Sequence, residues 1–330
     1  MMIRNILPVA ALGFVVFISQ NSVFAQQRKS QAILHAENAP SSFFLQGEYA
    51  GEIESHGSFH LYGLQVIARQ NRRFEGVVYS GGLPGAGWNG KAKTKLSGVL
   101  RDDRLVLFGN NYSIEVSGNA ASFYDRYGDP LGQIAKVKRE SITLGQSPPA
   151  EAIVLFDGTD TKNFRNGRIT RDGLLKEGAD FLSSYKDYDL HLEFQLPYMP
   201  ATHAQRRANS GVYLQSRYEV QILDSFGLEG AFNECGSLYR FRKPDVNMCL
   251  PPLSWQTYDI NFRSPRYNKD GKKTQNVKIS VWHNGVLIHD NVDLPRKTGA
   301  GAKETSKLLP IKLQAHGDPV RFRNIWLIER

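Results

Sequence analysis

The sequence contains few cysteines and, beyond Ala25, no long hydrophobic run. Only two of its 330 residues are cysteine, Cys235 and Cys249, and no nearby Cys or His completes a zinc ligand set. A second apolar segment of about 20 residues, the length that spans a membrane, does not occur. These absences argue against a zinc domain and predict a chain without a membrane span.

Motifs that bind nucleic acid or nucleotide phosphate are also absent. The formal net charge is +9, but the basic residues are scattered and accompany no nucleic-acid-binding motif. The glycine-rich segment 81–90 lacks the Gly-Lys-Ser/Thr ending of a phosphate-binding loop. We therefore expect no nucleic acid partner, and the sequence leaves any protein partner unspecified.

Residues 1–25 have the pattern of a secretory signal peptide. Arg4 provides the positive charge, Ile6 to Ile18 is nearly continuously apolar, and Val23 to Ala25 is a small-x-small cleavage site. We expect export to the periplasm or the medium after cleavage near Ala25. In that oxidising compartment Cys235 and Cys249 are expected to form a disulfide, the alternative being two buried free thiols.

The remaining chain divides by composition into two β-rich regions. Residues 26–41 are polar and are predicted to be a flexible tether, and residues 143–152, with Gly145 and a Pro pair, are predicted to be a linker. Between them, residues 42–142 are predicted to form a small antiparallel β domain of unknown role. Its strand candidates are Gly47–Ile53, Phe59–Ala68, Arg73–Tyr79, Lys95–Leu100, Arg104–Gly109, Tyr112–Ser117 and Ala121–Arg126.

Residues 153–330 are predicted to form a second all-β domain. Asn284-Gly285 is a two-residue hairpin signal between two of its strands. The strand candidates are Leu190–Leu196, Gly211–Gln215, Tyr218–Leu223, Trp255–Phe262, Asn276–His283, Val286–Asp290, Ile311–Ala315 and Arg323–Glu329.

The segment Tyr218–Asp224 carries the strongest indication of chemistry. Its period of two places Glu219 and Gln221 on one face of a strand. Asp224 would face the other way unless a one-residue bulge brings it back. Two carboxyl groups and an amide on one concave face would suit glycoside chemistry, whereas an edge strand with solvated charges is the alternative.

Two residues at the end of the Ile311–Ala315 strand share a polar face. Gln314 and His316 are two positions apart, and His316 titrates near neutral pH and could act as a base. It could equally anchor the turn that follows at Gly317.

Four further residues are candidates for substrate binding. Asn209 could donate to a sugar hydroxyl or form an Asx turn. Tyr213 and Tyr239 could contact a sugar ring or pack in the sheet. Arg323 could bind a substrate oxygen or pair with a buried acid such as Asp157 or Glu219.

The second region resembles the 3-keto-disaccharide hydrolase family, whose fold is similar to concanavalin A-like lectins and glucanases. The resemblance covers about residues 153–330, and it rests on a series of short motifs in a fixed order. These are Leu155-Phe156-Asp157-Gly158, Asn209-Ser210-Gly211, the Tyr218–Asp224 strand, Gly236-Ser237-Leu238-Tyr239, Trp255, Asn284-Gly285, Leu313-Gln314-Ala315-His316-Gly317 and Phe322-Arg323-Asn324-Ile325.

The resemblance implies a concanavalin A-like β-sandwich, or jelly roll, that cleaves the glycosidic bond of 3-keto-disaccharides or 3-keto-glycosides. Its implied catalytic groups are His316 or Glu219 as base and Asp224 as proton donor. Gln221, Arg323 or a divalent metal ion would stabilise the enolate. No cofactor is certain. A lectin-like module without catalysis is the alternative, and an ordinary glucanase is disfavoured because Gln221 replaces the middle acid of the glucanase strand motif.

Overall fold

The computed structural model describes residues 32–55, 57–91 and 93–330, so the predicted signal peptide and the start of the predicted tether lie outside the described residues. No helix in this described part is long and apolar enough to cross a membrane. The regular structure consists of strands and three 3-10 helices at Ala36–Asn38, Ser41–Leu45 and Ala204–Arg206.

The first eight strands form a closed antiparallel barrel in which each strand pairs with the next and β1 pairs with β8. They are β1 (Gly47–Ser55), β2 (Ser58–Ala68), β3 (Arg73–Ser80), β4 (Lys93–Arg101), β5 (Arg104–Phe108), β6 (Tyr112–Ser117), β7 (Ala120–Asp125) and β8 (Pro130–Val137). The seven predicted strands are found, and β8 is an eighth that the sequence pattern did not indicate.

Apolar side chains fill the barrel interior. Leu64, Val66, Leu105, Leu107 and Ile114 are fully buried in one cluster. Buried and more exposed residues alternate along β5, β6 and β7, as expected for a small barrel whose centre is packed rather than open. The barrel interior is therefore a core and not a ligand cavity.

The second region builds two sheets that share one apolar core. Its strands are β9 (Ile153–Phe156), β10 (Phe164–Arg165), β11 (Leu175–Lys176), β12 (Asp180–Phe181), β13 (Tyr188–Gln195), β14 (Ser210–Leu214), β15 (Tyr218–Ile222), β16 (Trp255–Arg263), β17 (Arg266–Tyr267), β18 (Lys273–Gln275), β19 (Val277–His283), β20 (Val286–Leu294), β21 (Lys312–Leu313) and β22 (Arg321–Glu329). All eight predicted strands of this region are found, while β9 to β12, β17 and β18 are additional.

The smaller sheet has the order β10-β12-β21-β14-β15, and the larger has the order β11-β22-β13-β16-β19-β20 with β9 beside β22. Leu214 and Val220 of the smaller sheet share a core cluster with Leu192, Phe194 and Tyr258 of the larger. Asn284 and Gly285 form the predicted hairpin turn, both with positive φ, between β19 and β20.

The barrel packs against the second region through an apolar interface. Ile67 and Tyr79 on the outside of the barrel belong to the core of the two sheets, and Tyr198 of the second region is buried in the barrel core. Lys93 and Lys95 of β4 form ion pairs with Glu229 at 2.8 and 2.7 Å. The two β regions therefore form one packed body.

The described part of the predicted tether and the predicted linker are both bound to the second region. Ile33 exchanges two backbone hydrogen bonds with Tyr198, at 3.0 and 2.8 Å. In the linker, the Gly145 amide donates to the Glu193 carboxylate at 2.6 Å. Buried hydrogen bonds of this kind fix a segment in place, so residues 32–41 and 143–152 are attached structure rather than loose connections.

The predicted disulfide between Cys235 and Cys249 is not present. Both residues are buried free thiols. The Cys235 sulfur lies 3.3 Å from the Tyr258 hydroxyl, and the Cys249 sulfur lies 3.6 Å from the Leu223 carbonyl oxygen. The alternative of two buried thiols is therefore the correct one for this structure, in which the cysteines are part of the core.

Candidate active site

The candidate site lies on the outer face of the smaller sheet, where β14 and β15 pair. Tyr213 is opposite Glu219 in the antiparallel register, and Gly211 is opposite Gln221. Because side chains alternate across a strand, the residues between them point into the core, as Val220 does. The prediction that Glu219 and Gln221 share a face is confirmed.

Glu219 is held in a tight, almost closed space. Its side chain is only 2% exposed, and its Oε2 accepts a hydrogen bond of 2.7 Å from the Tyr213 hydroxyl. A Cβ atom on Gly211 would lie 2.5 Å from Oε1, and one on Gly299 would lie 2.6 Å from Oε2. Such distances are far below van der Waals contact, so only glycine at these two positions leaves room for the carboxyl group.

Burial raises the pKa of Glu219 to about 7, while the hydrogen bond from Tyr213 acts in the opposite direction. Among the described residues no Lys, Arg or His forms an ion pair with this carboxyl group. A carboxyl group with this pKa exchanges its proton near neutral pH, which is what a general acid or base requires.

A cluster of amide and hydroxyl groups surrounds the carboxyl group. With its amide nitrogen turned toward Glu219, Gln221 donates to Oε1 at 3.2 Å, and its other end lies 3.2 Å from the Gln205 amide. Asn209 Nδ2 donates to the Gln205 carbonyl at 2.8 Å, and the Tyr239 hydroxyl lies 3.4 Å from Gln205 Oε1. These groups are of the kind that bind sugar hydroxyls.

Gln314 joins the cluster from the neighbouring strand. Its Nε2 lies 3.5 Å from the Tyr213 hydroxyl, and its backbone amide donates to the Gly211 carbonyl. Its buried Oε1 has no hydrogen-bond partner among the described residues. A buried acceptor of this kind is costly unless something bonds to it, which is consistent with a ligand here.

His316 lies on the exposed loop that follows Gln314. The next residues of the loop return to the site, because Asp318 accepts a 2.8 Å hydrogen bond from the Asn209 amide. His316 is therefore at the rim of the site rather than on the buried face with Glu219. Because β21 ends at Leu313, Gln314 and His316 both follow the strand and do not share a strand face as predicted.

Asp224 does not join Glu219 on the sheet face. β15 ends at Ile222, and the Asp224 carboxylate turns to the buried Arg207 guanidinium, with 2.6 Å between Oδ2 and Nε. Burial raises the pKa of Asp224 to about 7, while the hydrogen bond from the Phe226 backbone amide and the charge of Arg69 act in the opposite direction. The β14–β15 register is regular, without the bulge that would have brought Asp224 to the Glu219 face, and Asp224 forms a buried ion pair with Arg207.

Arg323 lies on the other sheet, away from the Glu219 cluster. Its Nε donates to Glu193 Oε2 at 2.7 Å, and its guanidinium is 4.0 Å from the centre of the Trp255 ring. Arg323 therefore forms the ion pair with a buried acid that was the alternative prediction, but its partner is neither Asp157 nor Glu219. That acid is Glu193, which the sequence did not single out.

Two residues of the site were missed by sequence reasoning. Gln205 is on the 3-10 helix before Asn209 and contacts three of the predicted residues. Thr298 Oγ1 accepts the Glu219 backbone amide at 2.6 Å. Both residues come from irregular segments without periodicity, so only their nearness to motif residues or to glycines could have indicated them.

The residues described for this protein contain no group of three or more His, Cys, Asp or Glu side chains that could hold a metal ion. Among the described residues that surround the Glu219 carboxyl group, the hydrogen-bonding neighbours are amides and hydroxyls. This donor set is weak for a divalent metal ion.

The chain belongs to the family of 3-keto-alpha-glucoside-1,2-lyase-like domains, whose family model matches residues 151–328. The match includes both sheets and the candidate site, and it leaves out the barrel. Membership confirms the family predicted from the sequence motifs. No curated protein is detectably similar in sequence to this chain.

Three solved structures from one organism are similar to this chain. A proposed glycosyl hydrolase from Parabacteroides distasonis is 30% identical, with a TM-score of 0.52 over 56% of this chain and 86% of the other. Two further proposed glycosyl hydrolases from the same organism are 16% and 23% identical, with TM-scores of 0.42 and 0.37. They cover 58% and 54% of this chain and 100% and 99% of theirs. Together with the family, the structure that is 30% identical supports a glycoside hydrolase-like role and a carbohydrate substrate.

Proposed function

We propose that this protein cleaves the glycosidic bond of 3-keto-glycosides by elimination followed by addition of water, with Glu219 as the base. The observation that carries the proposal is the buried Glu219 carboxyl group, whose pKa of about 7 suits proton transfer at neutral pH. The family description and the amide cluster around Glu219 support it.

The substrate itself explains why one base can break this bond. A carbonyl at C3 acidifies the proton on C2, and the glycosidic oxygen on C1 is in the β position. The Glu219 carboxylate takes the C2 proton, and the electron pair moves onto the C3 oxygen as an enolate. When the C3 carbonyl reforms, a C1–C2 double bond forms and the C1–oxygen bond breaks. Water then adds its hydroxyl to C1 and a proton to C2.

The neighbouring groups have separate tasks in this proposal. The amide nitrogens of Asn209 and Gln205, or the Tyr239 hydroxyl, donate to the C3 oxygen as its negative charge develops. Gln221 and Tyr213 orient the Glu219 carboxyl group. His316 at the rim delivers a proton to the departing oxygen. Asp224 and Arg323 take no part because both are bound in ion pairs elsewhere.

The test is product analysis with 3-keto-trehalose and plain trehalose in D₂O, each with and without chelator. The proposal predicts 3-keto-glucose from the oxidised sugar alone, with deuterium at C2 and no effect of chelator. Cleavage without deuterium at C2 would exclude elimination. If neither sugar is cleaved by the folded protein, the carbohydrate-binding alternative is favoured.

Two finer points belong to the same proposal. We propose that the two sheets form a concanavalin A-like jelly roll, which a structure of the complex with a sugar would test through the path of its strands. We also propose export after cleavage near Ala25, for which N-terminal sequencing of the protein from its native host is the measurement.

A further inference from the structure

A wide cleft lies on the far side of the barrel from its closing seam, between strands β3 to β5 and the segment Pro200–His203 of the second region. Its volume is about 1240 Å³, which is enough for several sugar rings. No part of the proposed Glu219 chemistry uses this cleft, so its role is a separate question.

The barrel wall of the cleft presents guanidinium groups. Arg69 is paired with Glu75 at 2.7 Å, and Arg104 is paired with Glu115 at 2.7 Å. Arg73 and Arg101 also line the cleft, are exposed and have no side-chain partner among the described residues. Unpaired guanidinium groups on a concave wall favour a ligand that carries carboxylates, which they bind in bidentate geometry.

The same wall carries exposed apolar groups between the charges. Phe108 is 62% exposed and Val99 is 43% exposed. In the strand register Val99 is opposite both Arg73 and Val106, while Ser97 is opposite Phe108. The outer face of β3 to β5 therefore offers an aromatic ring and an aliphatic side chain beside a free guanidinium, a combination that suits the apolar face and the acidic group of one sugar residue.

The opposite wall leads directly to the candidate active site. Thr202 and His203 line the cleft, and the 3-10 helix Ala204–Arg206 follows without a gap. Its middle residue, Gln205, contacts Gln221 and Tyr239 in the site. The cleft and the site therefore adjoin along one short segment of chain.

We infer that this cleft is a second carbohydrate site, one that binds an acidic oligosaccharide through Arg73, Arg101 and Phe108. This gives the barrel a ligand-binding role that does not depend on the reaction at Glu219. Single-stranded nucleic acid is the competing ligand. Glu75 and Asp102 also line the cleft and oppose a continuous run of negative charge of either kind, so the test compares the two ligands directly.

The test is a binding titration of the chain from Gln26 with a hexamer of galacturonic acid, at 50 and 150 mM salt. We expect Arg73→Ala/Arg101→Ala to weaken binding at least ten-fold and Phe108→Ala to weaken it several-fold. The matched control is Lys269→Ala/Lys272→Ala, which removes the same charge from an exposed turn between β17 and β18 and should change little. All four arginine and lysine positions are exposed, so the melting temperature should stay the same.

Three outcomes would overturn the inference. One is that the hexamer does not bind or that the arginine variant binds it as tightly as the wild type. Another is that the lysine control loses as much affinity as the arginine variant. The third is equal affinity for neutral maltohexaose or for a 12-nucleotide single-stranded DNA. Turnover of 3-keto-trehalose by the arginine variant should be unchanged, so failure of this inference and failure of the proposed function are distinguishable.

Discussion

Two buried glutamates on opposite sheets have opposite properties. Glu219 is 2% exposed and Glu193 is fully buried. Burial by itself acts to raise the pKa of each carboxyl group, and the hydrogen bonds act against it. Glu193 is bonded by His191, Asn324, Arg323 and the Gly145 amide, and these bonds outweigh burial and lower its pKa to about 2. Glu219 has no charged partner among the described residues: its side-chain bonds come from the Tyr213 hydroxyl and the Gln221 amide, and its pKa is raised to about 7.

The comparison shows that the partners of a buried acid, rather than its burial, indicate its role. A carboxylate with every lone pair satisfied is fixed as an ion and contributes to stability. A buried carboxyl group with few partners is unstable as an ion, and that is the condition in which it can accept and release a proton. On this ground Glu219 is the functional acid and Glu193 the structural one.

The largest expected effect is on activity. Glu219→Gln keeps the shape of the side chain but removes the base, so turnover of 3-keto-trehalose should fall by about 10² to 10⁴ fold. Steady-state assays measure this. Glu177→Gln is the matched control, because it removes a partly buried carboxylate that pairs with Arg321 and should keep near wild-type activity. Full activity of Glu219→Gln would remove Glu219 from the mechanism.

Glu193→Gln should affect stability rather than catalysis. The change leaves the Arg323 and His191 side chains without their charged partner, which costs about 3 kcal/mol of unfolding free energy at pH 7. Urea denaturation measures the loss. Because the pKa of Glu193 is lowered from 4.5 to about 2, its contribution is complete above about pH 4.5 and is lost as the pH falls to about 2, so the deficit should shrink over that range. An equal deficit at pH 7 and pH 3 would contradict this account.

Glu219 should make stability depend on pH in the opposite sense. Because its folded pKa is about 7 and its ordinary value is 4.5, folding favours the protonated form, and the wild type loses stability as the pH rises from about 4.5 to 7. The full cost is roughly 3 kcal/mol above pH 7. Glu219→Gln lacks this cost, so its stability relative to the wild type should increase between pH 5 and pH 8. A constant difference would mean that Glu219 titrates normally.

The smallest expected effect follows removal of one hydroxyl. Tyr213→Phe removes the hydrogen bond that lowers the Glu219 pKa, so the acidic limb of the kcat/KM profile should move to higher pH, with a modest loss of rate at pH 6. Tyr218→Phe is a matched control, since it removes a similar Tyr–Glu bond to Glu304 outside the site. If Tyr218→Phe moved the acidic limb of the kcat/KM profile by the same amount, the cause would be a general change in the sheet.

Strands in which apolar and polar residues clearly alternate could be predicted from the sequence, and strands without this alternation could not. The shared face of Glu219 and Gln221 follows from the period of two alone. Strand β8 was missed because Pro130 and Gly132 disfavour a strand, and its place is fixed by pairing with β7 and by barrel closure against β1.

The rest of the site depends on contacts that are distant in sequence. Asp224 turns from the sheet because Arg207, 17 positions earlier, is buried beside it. Arg323 pairs with Glu193 across 130 positions. The sequence showed that these charges exist and not which partner each would meet. The cysteines are a similar case, since the argument from compartment does not include the geometry that leaves both thiols free.

The most direct test of this account is a titration of the two carboxyl groups by ¹³C NMR of the protein labelled at glutamate Cδ. Glu219→Gln and Glu193→Gln would assign the two signals. The account predicts a midpoint near pH 7 for Glu219, with Glu193 ionised down to about pH 2. A midpoint near 4.5 for Glu219 would contradict it, because the buried acid would then be an ordinary carboxylate.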